Sequence, residues 1–310
     1  MENMSANSSL NTPGYTVDNP DHLSWWRDKV RKLARQSNIA ADTRVAIGVV
    51  TYNNSERELK NSLASAEISL KSAGFGAQGA MFIIDNGACS KKHTNGMDVL
   101  TRIESRGNVG FGTGHNILMK EAFNSGYELY ITVQPDGLLH YDATRALVKS
   151  VKASKGNAVV EALQFPAEHP KPYDTVSFET PWVSGTCVAI PKKVFDDLGG
   201  FDEDFLMYFE DVDFSWRARA LGFTLKMCPF ALYLHQVTNR EMNPEQLQMV
   251  FESGLTLARK WGSPEFENWL KDELMKLGKP IPSKVSKGVS ETWRSIADFS
   301  HQFNFAQPRW

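Results

Sequence analysis

The chain has 310 residues, of which 42% are hydrophobic, enough for one large domain or for a domain with an appendage. Its formal net charge of −2 excludes the overall basic charge that favours nucleic acid, so we expect no nucleic-acid partner. Its three cysteines, Cys89, Cys187 and Cys228, are widely spaced, which argues against a disulfide framework or a zinc site and is typical of a reducing compartment.

The first 40 residues, 1–40, are predicted to be an extension that precedes the folded domain. Residues 1 to about 20 are polar, lack the apolar core of a signal peptide and are predicted to be disordered. Residues 21–36 have a basic amphipathic pattern with Trp26 on the apolar face. Such a helix docks on its own domain or lies on an anionic membrane, and both interpretations stay open. We expect a cytoplasmic protein, with peripheral contact at the inner face of the cytoplasmic membrane as the alternative for this segment.

After the extension the pattern alternates between apolar strands and amphipathic helices. The run Val45–Val50 predicts a strand buried on both faces. Ser55 with Glu58 then forms a capping-box signature for a helix that ends near Ser72. Further strands are predicted at 80–84, 127–133, 158–165 and 183–190, and further helices after residue 110 and over 142–154. The alternation predicts an α/β domain over residues 41–240, with a mixed, mostly parallel sheet flanked by helices.

Polar side chains follow the predicted strands at the point where each strand ends. They are Thr51, Tyr52 and Asn53 after the first strand, Asp85 after the second, and Gln134 and Asp136 after the third. In α/β sheets ligands bind beyond the carboxyl ends of the strands, so we expect these side chains to meet at one edge. Taken singly, Asp85 is more typical of a turn, and Asp136 fits a turn and a binding site equally well. Their convergence is what predicts a site.

A glycine-rich segment opens the second predicted helix, with glycines at Gly110, Gly112 and Gly114. It does not match the GxGxxG dinucleotide fingerprint, and the chain has no GxxxxGK[ST] phosphate loop. Glycines ahead of a helix N-terminus can let the backbone approach a ligand closely. Structural packing explains such a segment equally well, so the pattern alone leaves both interpretations open.

Three carboxylates fall on the first turn of a later predicted helix. Glu210, Asp211 and Asp213 follow the apolar run Phe205–Phe209, and the helical pattern continues until Gly222. The positive end of the helix dipole favours ionised acids, and an ionised carboxylate at the rim of a core can act as a general base. For an isolated Glu-Asp pair, plain helix capping is the simpler explanation.

Taken in order, these motifs carry a family resemblance. TYNN, IIDNG, GNVGFGTGHN, QPDG and GGFDEDFLMYFEDVDFSWRARALGF resemble the inverting family 2 glycosyltransferases of GT-A fold, and among them bacterial rhamnosyltransferases that use dTDP-L-rhamnose. The resemblance covers about residues 44–240. It implies a hexosyltransferase that moves a sugar, L-rhamnose from dTDP-L-rhamnose, onto a glycan or lipid-linked acceptor during synthesis of bacterial cell-surface polysaccharide. A UDP-linked donor is the alternative within the family.

The resemblance also implies roles for individual residues. The nucleotide base and ribose would contact Thr51, Tyr52, Asn53 and Asp85. The nucleotide–sugar pocket would be lined by Arg106, Asn108, Gly110 and Asn116. Asp211 would be the catalytic base, with its neighbour Glu210 as the alternative, and Trp182 would form an apolar wall for the methyl group of the sugar.

The metal site implied by the resemblance contains one departure from the family. The family often has Asp or Asn where this chain has Gln134, so Asp136 is the charged ligand of that element. His235 ends the apolar run Ala231–Leu234 and resembles the downstream metal-binding histidine of the family. One carboxylate, one imidazole and two phosphate oxygens would suit Mg²⁺ or Mn²⁺.

After about residue 240 the strand–helix alternation stops. Residues 244–261 and 264–277 predict helices of a C-terminal extension, 241–310. This extension could cover the acceptor side of the cleft or form a homodimer contact, and the sequence does not choose between them.

Two other classes of function stay open from the sequence. A sugar nucleotidyltransferase shares the α/β layout and a metal, but it should carry a glycine-rich basic loop where this chain has Thr51–Asn54. A non-catalytic nucleotide-sugar-binding protein is suggested by Gln134, whereas the intact Glu210–Asp211 pair argues against it.

Overall fold

The structure is a computed structural model that describes residues 43–75, 79–87, 100–103, 107–166, 171–235, 242–283 and 287–299. All of these residues belong to one unit of the chain, Ile39–Trp310. Several features of the sequence analysis lie outside the described residues: the extension with its segment 21–36, Cys89, the pocket residue Arg106, and residues 241, 284–286 and 300–310 of the C-terminal extension.

Strands and helices alternate up to His235, and among the described residues after it helices alone follow. The strands are β1 (Val45–Thr51), β2 (Gly79–Asp85), β3 (Leu100–Ile103), β4 (Leu129–Thr132), β5 (Gly137–Leu139), β6 (Ala158–Phe165), β7 (Val188–Pro191) and β8 (Thr224–His235). The helices are α1 (Glu56–Ser72), α2 (Phe111–Asn124), α3 (Ala143–Ala153), α4 (Lys192–Leu198), α5 (Glu210–Ala220), α6 (Pro244–Trp261), α7 (Pro264–Lys276) and α8 (Glu291–Arg294).

The strands form one mixed sheet in the order β3-β2-β1-β4-β7-β6-β8-β5. Strands β1 to β4 pair in parallel, as do β6 and β8. The short strand β7 is antiparallel to both of its neighbours, and β5 is antiparallel to β8. The predicted mixed, mostly parallel sheet flanked by helices is confirmed.

Helices cover both faces of the sheet because its strands are apolar on both sides. One core cluster joins the sheet to α1 and α3, through residues such as Leu63 and Leu147. A second cluster joins the opposite face to α2 and α5, through residues such as Leu118 and Phe214. The capping box predicted for α1 is present, since Ser55 and Glu58 each accept a hydrogen bond from the other's backbone amide.

One predicted strand is shorter than its apolar pattern suggested. The pattern indicated a strand over 183–190, but β7 begins only at Val188. The physical reason is that the amides of Val183, Ser184 and Gly185 donate to side chains instead of to a neighbouring strand. A ladder cannot form where its donors are already used.

The two long C-terminal helices, α6 and α7, are present as predicted, and they share a core with the segment before them. Trp261 of α6 packs edge-to-face on Trp216 of α5, with ring centroids 5.2 Å apart. Phe266 of α7 packs on Phe209, which immediately precedes α5. The C-terminal helices therefore pack against α5 and against the residue that precedes it. Within the described ranges, none of the helices has the length and apolar character needed to cross a membrane.

Candidate active site at the carboxyl edge of the sheet

The candidate base Asp211 lies in the first turn of α5 and is partly buried. Its Oδ1 accepts the amide of Val212 at 2.8 Å, and its Oδ2 accepts the amide of Gly185 at 3.0 Å. The two bonds fix the plane of the carboxylate against two separate segments. Each oxygen has a second lone pair, so the group can still accept a hydrogen bond from a substrate hydroxyl.

The helix that carries Asp211 begins in an unusual backbone conformation. Tyr208 and Phe209 both have positive φ, 71° and 66°, and the N-terminus has no side-chain cap. Two successive left-handed residues other than glycine are costly, of order 1–3 kcal/mol each, and such strain concentrates at functional sites. Here it is held by the buried ring of Phe209 and by Ser253 of α6, whose hydroxyl donates to the carbonyl of Met207 at 2.7 Å. Glu210 and Asp211 therefore do not act as N-caps.

The segment before β7 holds the surroundings of Asp211 in place. The Val183 amide donates to Ser215 of α5, the Ser184 amide to Glu161 of β6, and the Gly185 amide to Asp211. Three successive amides thus connect the sheet with the first turns of α5. Gly185 is needed for close approach, because a Cβ there would lie 2.8 Å from the ring of Phe111.

The glycine-rich segment packs against the loop that leads into α5. Gly110 has φ 89°, its carbonyl accepts the side-chain amide of Asn86, and a Cβ there would clash with the backbone of Leu206. The Phe111 amide donates to the Leu206 carbonyl at 3.0 Å. A Cβ on Gly112 would lie 2.9 Å from Cβ of Phe201, with Cγ of Glu210 at 3.4 Å. These glycines are therefore required at least for packing.

Glu210 itself is buried, with 5% of its surface exposed, and it faces the glycine-rich segment. Asp211 is the more accessible of the two neighbours. Asp213, two residues further, is completely buried and accepts bonds from Arg217, Lys260 and the indole of Trp261. The three acids of this turn therefore face three different environments.

The residues predicted to hold the nucleotide lie together at the ends of β1 and β2. Thr51 and Asp85 are directly opposite each other in the parallel ladder. Asp85 accepts the Gly87 amide at 2.8 Å, and the Oδ1 of Asn53 faces Gly87 from the other side. Tyr52 is half exposed beside them. The structure thus brings together the strand-end residues of β1 and β2.

Three other predicted pocket residues have structural partners. Asn116 is 9% exposed and bonds both the amide and the carbonyl of Phe201, each at 2.8 Å. Asn108 accepts the Gly110 amide in a tight turn. Trp182 is 4% exposed and packs in the core cluster of the C-terminal helices, with Lys171 over its ring. The structure therefore does not bring Trp182 to an open surface where it would form a wall for a sugar.

The predicted metal ligands Asp136 and His235 face each other across the β5–β8 ladder. Asp136 Oδ1 and His235 Nε2 are 3.5 Å apart, and Gly137 is paired with His235 in register. The Asp136 side chain is 40% exposed and the His235 side chain 9%. Among the residues that the structure describes, no cluster of three or more His, Cys, Asp or Glu side chains forms a metal site. The Asp136–His235 pair could supply two ligands, with the remaining positions left to substrate oxygens or water.

Gln134 contributes its backbone more than its side chain to this arrangement. Its carbonyl accepts the Tyr233 hydroxyl at 2.6 Å, and its amide donates to the Thr186 carbonyl at 3.0 Å. Burial raises the pKa of Tyr233 well above its usual range, and the charge of Asp136 adds to that, so the phenol keeps its proton. Hydrogen bonds and chain connections thus link Asp211 to His235 along the edge of the sheet. The path runs from Asp211 through Gly185–Thr186 and Gln134 to Asp136 and His235.

Sequence reasoning missed several residues that organise this site. Gln164 of β6 is buried beside His235 and donates to the buried Glu161, which forms an ion pair with Lys171. Asn86, which follows Asp85, is buried and joins β2 to the glycine-rich segment. One signal was present, because Glu161 is a charge in the middle of the apolar strand AVVEALQF, and almost no acid is fully buried without a partner.

A buried histidine, His115, directly follows the last glycine of the glycine-rich segment. His115 of α2 has its Nδ1 2.7 Å from the hydroxyl of Tyr130, and burial lowers its pKa to about 3. The imidazole is therefore neutral at physiological pH. A Cβ on Gly48 would clash with the ring of Tyr130, so β1 must carry glycine there for the two polar rings to pack.

Comparison with solved structures identifies the architecture. The chain superposes on a crystal structure of GalNAc-T7 with UDP, GalNAc and Mn²⁺ with a TM-score of 0.57, over 98% of this chain and 66% of that one. The sequence identity is 10%, so the likeness concerns the fold alone. The chain has the GT-A fold. No family model matches its sequence.

Sequence relatives cover short stretches of this GT-A chain. It is 41% identical over 54 residues to an N-acetylglucosaminyl-diphospho-decaprenol L-rhamnosyltransferase of Mycobacterium tuberculosis, which is 17% of this chain and 18% of that protein. It is 33% identical over 51 residues to a low-salt glycan biosynthesis hexosyltransferase of Haloferax volcanii, which is 16% and 17% of the two chains. The chain therefore spans less than a fifth of the length of either relative.

Proposed function

We propose that the protein is an inverting, metal-dependent glycosyltransferase that moves a sugar from a nucleotide-sugar donor onto a hydroxyl of a glycan or lipid-linked acceptor. The observation that carries the proposal is the connected path from Asp211 through Gly185–Thr186 and Gln134 to the Asp136–His235 pair. It joins a candidate base to a candidate cation site at the edge of an α/β sheet where ligands bind. The GT-A fold and the short stretches of similarity to two glycosyltransferases support the same conclusion.

The proposed reaction uses Asp211 as the base. The acceptor hydroxyl oxygen forms a bond to the anomeric carbon while the bond from that carbon to the diphosphate oxygen breaks on the opposite face. The electron pair of the broken bond leaves with the diphosphate, and the hydroxyl proton passes to Asp211. Attack opposite to the leaving group inverts the configuration. Because an ordinary Asp carboxylate is a weak base, positioning of the acceptor would supply much of the rate.

The Asp136–His235 pair suits a divalent cation on the chemistry of its donors. A carboxylate oxygen and an imidazole nitrogen 3.5 Å apart are ligands that Mn²⁺ accepts, and Mg²⁺ would rely more on Asp136 and phosphate oxygens. A cation bound there would neutralise charge on the departing diphosphate. Asp136, the more exposed of the two, would face the donor, while the buried His235 would anchor the ion from below.

For the donor we propose dTDP-L-rhamnose. The Mycobacterium tuberculosis relative is an L-rhamnosyltransferase that acts on a lipid-linked diphosphate by its name, which supports this sugar and a lipid-linked acceptor. The GalNAc-T7 structure contains UDP, which makes a UDP-linked sugar the main alternative. The buried position of Trp182 means that recognition of the 6-methyl group would rely on other side chains.

A thermal-shift panel of nucleotide-sugars, each with and without Mn²⁺, tests the proposal as a whole. A donor present at about 100 times its dissociation constant should stabilise the protein by about 2.7 kcal/mol. We expect dTDP-L-rhamnose with Mn²⁺ to give the largest shift. A larger shift with UDP-hexoses would overturn the donor assignment and keep the activity. No shift with any nucleotide-sugar would count against the transferase itself.

Removal of either proposed ligand tests the cation site. Asp136→Ala and His235→Ala should each weaken Mn²⁺ binding, because each removes one of two proposed protein ligands. The loss should exceed the range of about 10–100-fold that is typical when an outer-shell contact is removed. Electron paramagnetic resonance of free Mn²⁺ measures the dissociation constants directly. Asp142→Ala, at an exposed acid before α3, is the matched control and should bind normally. Full glycosyl transfer in excess EDTA would remove the cation from the reaction.

A further inference from the structure

A chain of buried hydrogen bonds leads from Lys171 to His235. Lys171 forms an ion pair with Glu161, and the side chains of the two residues are 2% and 1% exposed. Glu161 accepts the side-chain amide of Gln164 at 3.2 Å, and Gln164 Oε1 lies 3.0 Å from Nδ1 of His235. Gln164 is 3% exposed, so water competes little for any of these contacts.

The donors and acceptors in this chain can be assigned in one way. Glu161 is ion-paired with Lys171 and its Oε2 also accepts the amide of Ser184 at 2.8 Å, so the carboxylate can only accept. Gln164 must then direct its NH₂ group toward Glu161 and its carbonyl oxygen toward His235. A flipped Gln164 amide would place two oxygens against each other in a buried site, which is costly.

The orientation of Gln164 determines the tautomer of His235. A carbonyl oxygen can only accept, so Nδ1 of His235 must carry the proton. The Nε2 atom is then left with its lone pair, and this is the atom that lies 3.5 Å from Asp136. In water a neutral imidazole prefers the opposite tautomer, with the proton on Nε2, which could not bind a cation at this atom.

We propose that Gln164, held by Glu161 and Lys171, is a positioning residue that keeps the Nε2 lone pair of His235 directed at the site shared with Asp136. The inference rests on the proposed function, since it gives the Asp136–His235 pair its cation-binding form. Glu161 also holds Ser184, whose neighbour Gly185 bonds Asp211. One buried carboxylate thus supports both halves of the proposed active site.

Nuclear magnetic resonance of the full-length protein labelled with ¹⁵N-histidine tests the tautomer. Long-range ¹H–¹⁵N correlations above the imidazole pKa, with His235 assigned from His235→Ala, should show the wild-type ring protonated on Nδ1. In Gln164→Met, which keeps the side-chain length but has no amide, the ring should change to the Nε2-protonated form. Glu161→Gln should give a mixture, because Gln164 can then turn either way.

Mn²⁺ affinity is the second readout, and it does not depend on turnover. Gln164→Met should raise the dissociation constant for Mn²⁺ by about 10–100-fold, the range typical of lost outer-shell contacts. Val160→Ala, also fully buried on β6, is the matched control and should lower the melting temperature without changing tautomer or affinity.

A wild-type ring protonated on Nε2, or an unchanged tautomer in Gln164→Met, would overturn the inference. If wild-type protein binds Mn²⁺ through His235, an unchanged Mn²⁺ affinity in Gln164→Met would overturn the inference as well. Wild-type protein that holds the Nδ1-protonated ring yet binds no Mn²⁺ would refute the proposed cation site and leave the positioning network supported.

Discussion

Two buried lysine–carboxylate pairs lie beneath the candidate active site, and they differ in what they hold. The first pair, Lys171 with Glu161, lies below the Asp136–His235 pair. Both of its side chains are almost completely buried. Lys260 with Asp213 lies below the turn that carries Asp211, with side-chain exposures of 7% and 0%. Glu161 is linked through Gln164 to His235, and Asp213 lies two residues from Asp211 in the same helical turn.

The first pair is connected to a candidate metal ligand, and the second holds structural elements together. Glu161 is connected to His235 through Gln164, and this network ends at the Nδ1 atom of the histidine. Asp213 instead binds Arg217, Lys260 and Trp261, which fasten α5 to α6. Arg217 continues the second network to the carbonyl of Gly200 at 2.8 Å.

The difference teaches that burial and ion pairing do not by themselves indicate a functional charge. A buried pair offsets its desolvation only when further hydrogen bonds satisfy its ions. Glu161 accepts further bonds from Gln164 and Ser184, and Asp213 accepts them from Arg217 and Trp261. The two networks differ in what they reach next: Gln164 and the candidate metal ligand His235 in one case, and the backbone carbonyl of Gly200 in the other. Variants of the two networks should therefore fail in different ways.

The largest expected effect is on turnover, at Asp211. Asp211→Asn keeps the shape but cannot take a proton, so kcat should fall by about 10²–10⁴-fold. Stability should fall by only about 1 kcal/mol, because one of the two accepted amide bonds is lost. Turnover with donor and acceptor, together with urea denaturation, measures both.

Two neighbouring variants serve as controls for Asp211. Asp213→Asn should show the reverse pattern, with a large loss of stability and nearly normal turnover per folded molecule. Glu210→Gln tests whether the buried neighbour is the base instead. Near-normal kcat in Asp211→Asn would refute the assignment of the base.

The next effect compares the two lysines directly. Lys171→Met should destabilise the protein by about 3 kcal/mol or more, because it removes the lysine that is ion-paired with the buried carboxylate of Glu161. Lys260→Met should destabilise it less, because Asp213 keeps its ion pair with Arg217. Only Lys171→Met should also weaken Mn²⁺ binding, since only Glu161 is connected to His235. Urea denaturation and Mn²⁺ titration of both variants make the comparison. Equal losses of Mn²⁺ affinity would show that the two networks are not separate in function.

The smallest effect concerns His115, a buried polar side chain for which the structure shows no charged partner among the residues it describes. Burial lowers the pKa of His115 to about 3, below its ordinary value of 6.5. Because the unfolded chain takes up this proton first, stability is complete above about pH 6.5 and is lost as the pH falls toward about 3. Between about pH 7.5 and about pH 5 the loss from His115 should be about 2 kcal/mol.

The variant His115→Gln isolates that contribution. It should be less stable than wild type at about pH 7.5, and its unfolding free energy should depend less on pH by about 2 kcal/mol over the same interval. Urea denaturation of both proteins at the two pH values gives the difference. An equal pH dependence in the two proteins would show that His115 is not the group responsible.

The sequence predicted the sheet, most helices and the edge at which the candidate site lies, because these follow from local patterns. Apolar runs and capping signals located β1, α1 and α6, and the strand ends located Asp85 and Asp136. Patterns failed where a residue's partner is remote. The amides at 183–185 looked like a strand because nothing nearby shows that Ser215, Glu161 and Asp211 would take them.

Periodicity and residue order along the chain were thus enough to define an α/β sheet with acids and a histidine at its carboxyl edge, since each strand or helix records its own burial in a short repeat. Which acid stays accessible depends on contacts across long distances in sequence. Asp211 bonds Gly185, whereas Asp213 bonds Lys260 and Trp261. The tautomer of His235 likewise depends on Gln164, 71 residues earlier. Such roles belong to pairs of residues, and only the folded chain brings the pairs together.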